Sequence, residues 1–126
     1  MRMKALITAV SVALATPALA QTIVDGSGAD MPEPMRRAMM EKVTHDLKDP
    51  MSAQFRGIRP GKPAKGNAVS WCGEVNAKNS YGAYVGFKKF WFASNPGGVN
   101  TAGVLDPSQL FNDIEKQLYA AHGCAG

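Results

Sequence analysis

Histidine and cysteine are scarce in this chain, with two of each among 126 residues. There is neither a Cys-x-x-Cys nor a His-x-x-x-His pair, so the spacings behind most zinc sites and thiol-exchange centres are missing. No serine sits in a Gly-x-Ser-x-Gly elbow, and Glu74 has no nameable carboxylate partner for glycoside hydrolysis. His45 adjoins Asp46, but neighbouring positions on a helix do not face each other. Beyond the first twenty residues no apolar run approaches the roughly 20 residues a membrane-crossing helix needs. Internal repeats and low-complexity tracts are absent too, and no catalytic residue or cofactor is expected.

Charge is modest. The formal net charge is +4, and Arg2 and Lys4 account for part of it, leaving about +2 on the remainder, a weak attraction for a polyanion. Nucleic acid is therefore not expected as a partner. The distribution is uneven, however: residues 36–89 hold eleven Lys or Arg against four Asp or Glu. Such a stretch is either an ordinary solvated face or a basic face for lipopolysaccharide, anionic lipid, peptidoglycan or an acidic protein.

The chain does have an address. In MRMKALITAVSVALATPALA, Arg2 and Lys4 precede an apolar run from Ala5 to Ala15, Pro17 breaks it, and Ala18-Leu19-Ala20 supplies a small-x-small cleavage pattern. A Sec-type signal peptide over residues 1–20 is expected, cut before Gln21, delivering the protein to the bacterial periplasm or the medium. No cysteine near the cut offers a lipidation site. In an oxidising compartment Cys72 and Cys124 read as a disulfide.

Residues 21–33 are small, polar and turn-rich, which predicts a flexible lead before a single domain over 34–126. From Pro34 to Leu47, Met35, Met39, Val43 and Leu47 recur every fourth position, which predicts an amphipathic helix. Phe55 to Arg59 reads as a short strand. Val69, Trp71, Gly73 and Val75 alternate with Ser70, Cys72, Glu74 and Asn76, as in a strand with one apolar face. Ala83 to Ala93 is aromatic-rich and should pair with it as a hairpin, through a turn at 78–82. A loop is expected from Asn95 to Leu105. Asp106-Pro107-Ser108-Gln109 then has the order of a helix start, with Leu110, Phe111, Ile114, Leu118 and Ala121 on one side and Gly123 as the stop. The sum is an α+β domain: a small antiparallel sheet of about three strands, an N-terminal and a C-terminal helix, and one disulfide.

The densest polar cluster is the stretch from Cys72 to Gly82. Glu74, Asn76, Lys78, Asn79 and Tyr81, with Tyr84 beyond them, form a candidate partner-binding surface at the hairpin end, with Arg56 and Arg59 nearby if the first strand pairs there. The same residues also suit plain turn chemistry. Among metals, His122, Cys124 and Cys72 make a weak zinc set that a disulfide would abolish. Met31, Met35, Met39 and Met40 offer thioethers suited to Cu(I), or equally flexible core filler. Arg56, Arg59, Lys62, Lys65, Lys88 and Lys89 could line a groove.

Two segments carry a resemblance: Leu47-Lys48-Asp49-Pro50-Met51-Ser52-Ala53-Gln54-Phe55-Arg56, and Cys72-Gly73-Glu74-Val75-Asn76-Ala77-Lys78-Asn79-Ser80-Tyr81-Gly82-Ala83-Tyr84-Val85-Gly86-Phe87. Together they resemble a family of small exported proteobacterial proteins, over roughly residues 40–92. The resemblance implies a common fold and export, and assigns no catalytic residue. The expected function is a non-catalytic binding module for a protein or cell-envelope partner, with an inhibitor or immunity-type role as a concrete form. The alternative is an envelope hydrolase using Glu74, or a copper-handling protein using the methionines.

Overall fold

A computed structural model describes residues 21–62 and 68–125. The expected signal peptide and Lys65 lie outside the described residues. The elements are β1 (Thr22–Ile23), α1 (Glu33–Thr44), a 3-10 turn (Pro50–Ser52), β2 (Gln54–Pro60), β3 (Val69–Asn76), β4 (Lys88–Ser94), β5 (Asn100–Val104) and α2 (Asn112–Ala121). The class is α+β, but the sheet has five strands in the order β1-β2-β3-β4-β5, not about three. It is also mixed, because β1 runs parallel to β2 while the other pairs are antiparallel. No helix among the described residues is long and apolar enough to cross a membrane.

The strand alternation sorts side chains onto two faces. Phe55, Trp71, Val75, Phe90 and Phe92 meet Met39 and Val43 of α1 in the larger core. Phe55, Phe90, Phe92 and Met39 are fully buried, and Phe55 meets Phe90 edge-to-face at 5.8 Å between centroids, a favoured aromatic geometry. Each such buried side chain stabilises the fold by about 1.5–3 kcal/mol. On the opposite face Cys72, Trp91 and Ala93 pack with Tyr119 and Cys124. The face expected to be polar therefore holds a second, smaller core beneath α2.

The stretch 21–33, expected as a flexible lead, packs against β2 and the main core. Thr22 and Val24 donate backbone hydrogen bonds to Ala53 and Phe55 at 3.0 and 2.9 Å, and Met31 is buried in the main core. Its turn residues serve a defect in β2. Arg56 pairs with Glu74 and Arg59 with Cys72, so Gly57 and Ile58 together stand opposite the one residue Gly73. This is a β-bulge, and Gly57 takes the left-handed φ of 61° that glycine adopts without strain. The two amides freed from the ladder are met by the lead: Gly57 N–H donates to Asp25 Oδ2 at 2.8 Å and Ile58 N–H to Ser27 Oγ at 2.8 Å.

Other boundaries moved as well. The aromatic run joins the sheet only from Lys88, leaving 83–87 in a loop, and β5 occupies part of the expected 95–105 loop. Asp106 does not cap α2. Its carboxylate accepts from Ser108 N–H and Oγ–H at 3.0 and 2.7 Å and from Lys88 Nζ at 2.6 Å, which closes a separate turn before Asn112. Leu110, Phe111 and Ile114, expected to be inward, are exposed, and α2 buries Tyr119 instead. Gly123 does stop α2, in a left-handed conformation with φ 71°. Its N–H donates to Ala120 O at 2.9 Å and that of Cys124 to Tyr119 O at 3.1 Å, a Schellman pair. This turn brings Cys124 to Cys72, with which it forms the disulfide.

The disulfide spans a sequence separation of 52, for which chain entropy gives about 4 kcal/mol. Paired Cys72→Ser and Cys124→Ser changes should lower stability by that order in a urea titration, with α2 the first element to lose amide protection. The lead supplies a second expectation. Ser27 Oγ–H, then Gly57 N–H, hold the Asp25 carboxyl down from 3.8 to about 2, and Lys88 and Ser108 lower Asp106 likewise. A depressed carboxylate stabilises above its unfolded value and loses that contribution as protons bind. The melting temperature should therefore fall as pH drops from 3.8 towards about 2, and Asp25→Asn should flatten that decline.

Candidate functional site

The expected surface divides into two parts. Residues 77–87 form a loop between β3 and β4, anchored by polar groups of its own and of its neighbours. Asn76, at the end of β3, is buried, and its Oδ1 accepts the Gly86 N–H at 3.0 Å. Asn79 Oδ1 accepts from Tyr81 N–H at 2.9 Å and Ala83 N–H at 3.1 Å, as an Asx turn does. Lys78 and Tyr84 form a two-residue bridge, with the Lys78 ammonium 5.6 Å from the Tyr84 ring.

The second anchor comes from the other segment of the resemblance. Ser52 Oγ accepts the Lys78 N–H at 2.9 Å, and the Tyr84 hydroxyl donates to Ser52 O at 2.9 Å. Ser52 thus ties the 3-10 turn to the loop, and the two segments, distant in sequence, form one unit. Asn76 and Asn79 are accordingly scaffold, with their carbonyl oxygens consumed internally. The side chain at the tip is different: Tyr81 is 95% exposed, and only its backbone N–H is used, by Asn79. Met51, Tyr84 and Val85 are large side chains on the same turn and loop that also stay exposed.

Glu74 does not join the loop. It projects from the middle of β3 on the α2 face and pairs with Arg56 Nε at 3.3 Å. The Arg56 guanidinium lies 3.7 Å from the centroid of Phe87, a cation–π arrangement between β2 and the end of the loop. Arg59 is further along the same face, where its guanidinium donates to the Cys124 carbonyl. Sequence reasoning missed Ser52 and Phe87 as positioning residues, although both lie in the segments of the resemblance.

The loop encloses little space. With residues 46–48, after α1, it borders a cavity of about 190 Å³ lined by Leu47, Val75, Ala77 and Val85 among others, below the volume typical of small-molecule sites. The catalytic and metal alternatives gain no geometry. Ser70 Oγ and His122 Nδ1 approach to 3.4 Å, but Ser70 is buried and no carboxylate among the described residues contacts His122. The imidazole instead stacks on Trp91, centroids 4.3 Å apart, and burial lowers its pKa below the usual value. Met31 and Met39 are in the main core, with Met35 and Met40 packed against it. Among the described residues no group of three or more His, Cys, Asp or Glu is placed to hold a metal.

Scaffold and tip should respond differently to truncation. Asn76→Ala removes a buried acceptor and should cost about 1 kcal/mol, with faster amide exchange at Gly86 as the local signature. Comparison with protein-family models, curated proteins and solved structures finds no match for the chain.

Proposed function

We propose that this protein is an exported, non-catalytic recognition module that binds a protein partner of the cell envelope through the tip of the 77–87 loop. One observation carries the reading. A loop whose backbone is tied down by Asn76, Asn79, Ser52 and Tyr84 holds the Tyr81 side chain 95% exposed. A fixed loop bears little ordering cost on association, and tyrosine contributes a large rigid contact with few torsions to immobilise. A turn needed only to connect two strands requires neither the second anchor at Ser52 nor an aromatic ring at its apex.

Exposed Tyr84, Val85 and Met51 extend this surface, and Lys78 adds a cation beside Tyr84. An inhibitor or immunity-type protein that inserts a stiff loop into a wall-degrading enzyme is the form that best suits such a tip. The test is affinity capture from an envelope extract with the native protein and with Tyr81→Ala. That substitution removes no described side-chain contact and should change stability by less than about 0.5 kcal/mol. Loss of the captured partner with an unchanged melting curve is the expected result. A partner held equally by both proteins would move recognition away from the loop.

A further inference from the structure

The β2 bulge has a consequence for the α2 face. In a regular strand residues three apart point to opposite sides; with the extra residue at Gly57 and Ile58, Arg56 and Arg59 both pair with residues of one face, Glu74 and Cys72. Lys89 stands across from Glu74 on the far side, in β4. α2 brings Lys116 and Tyr119 to the same area, and the result is an open cleft of about 730 Å³.

Among the described residues three cations line this cleft, Arg59, Lys89 and Lys116, against one carboxylate, Glu74. That carboxylate is already engaged by a fourth cation, Arg56. Among the described residues no carboxylate comes within ion-pair distance of Arg59, Lys89 or Lys116. Glu115, beside Lys116 in sequence, is turned to Trp91 Nε1 at 3.0 Å. Lys89 Nζ stands 6.0 Å from the Tyr119 ring, which keeps its ammonium at the rim, and Arg59 is braced by the Cys124 carbonyl. The bulge, the Schellman turn and the disulfide thus gather like charges that repel one another unless an anion sits between them.

We propose that this cleft is a binding site for a phosphate monoester group. A phosphate monoester carries close to two negative charges at neutral pH and presents several strong acceptor oxygens. It therefore matches a guanidinium and two ammonium groups arriving from β2, β4 and α2 better than a single carboxylate would. Tyr119 and Leu105, which also line the cleft, give the carbon portion of the ligand an apolar wall. The phosphate belongs either to a lipid headgroup of the envelope or to a free phosphorylated molecule.

The experiment is a titration of the purified protein with inorganic phosphate at constant ionic strength, followed by amide NMR, with sodium chloride as the reference anion. Saturable shifts at Arg59, Lys89 and Lys116 are expected. Lys89→Ala combined with Lys116→Ala, both exposed and without described ion pairs, should weaken binding by about tenfold. Glu74→Gln should tighten it, because it removes the one opposing charge among the described residues of the cleft and releases Arg56. Sedimentation with phosphatidic acid vesicles but not with phosphatidylcholine vesicles would identify the lipid source, and phosphate binding without vesicle binding the free one. Non-saturating shifts, equal affinity in the double lysine variant, or weaker binding by Glu74→Gln would overturn the proposal.

Discussion

At Gly57 and Ile58 the second strand carries one residue more than its neighbour, and much of the molecule is arranged around that mismatch. A bulge leaves amides unpaired, and unpaired amides near a core are costly. The carboxylate of Asp25 and the hydroxyl of Ser27 accept them, so the N-terminal stretch must lie against β2. There it adds β1 as a parallel edge strand and carries Met31 into the core. Arg36 of α1 reinforces the placement by donating to the carbonyls of Gly28, Ala29 and Met31. One inserted residue thereby bears on the placement of the 21–33 stretch and on the face on which Arg59 emerges.

Patterns with their own period were legible in the sequence. The four-residue spacing of Met35, Met39 and Val43 marked α1, and the alternation through Val69–Asn76 marked β3. Elements held by tertiary partners were not. Thr22–Ile23 is too short to show a period, and Asn-Thr-Ala-Gly-Val in β5 has weak strand propensity; it is strand because β4 offers it a ladder. The apolar side drawn for α2 held at Leu118 and not at Leu110, Phe111, Ile114 or Ala121, for a related reason. Leu110 and Phe111 precede the helix, and the disulfide and Schellman turn orient α2 so that Leu118 and Tyr119 meet the sheet.

The candidate surface was half legible. Asn, Gly and Tyr at 76–84 announced a loop of unusual chemistry, yet residue types alone do not separate Asn79, spent on backbone amides, from Tyr81, left outward. That division comes from the folded loop, which brings the Tyr81 and Ala83 amides to Asn79 Oδ1 and is held at Lys78 and Tyr84 by Ser52, 26 positions before Lys78. Glu74 belongs with Arg56 and Phe87 because of strand register, which no local pattern discloses. Lys89 and Lys116 could not be grouped without knowing both the register and the place of α2.

The two faces of the sheet solve different problems, and the contrast explains the shape of the second. On one side the aromatic core and α1 exclude water along the length of the strands. On the other, a short helix with little buried apolar surface would gain too little from packing to hold a fixed position. Position there depends on directional links instead: the Cys72–Cys124 bond, the Trp91–Glu115 hydrogen bond and the His122 ring on Trp91. These links act along β3 and β4 around Cys72 and Trp91 and leave Glu74 and Lys89, in the row Arg56–Glu74–Lys89, lining an open cleft. A helix fastened by contacts of this kind, rather than by an apolar stripe, can stop short of charged positions without exposing a core. That is how a domain this small keeps a stable interior and an open cationic cleft on the same sheet.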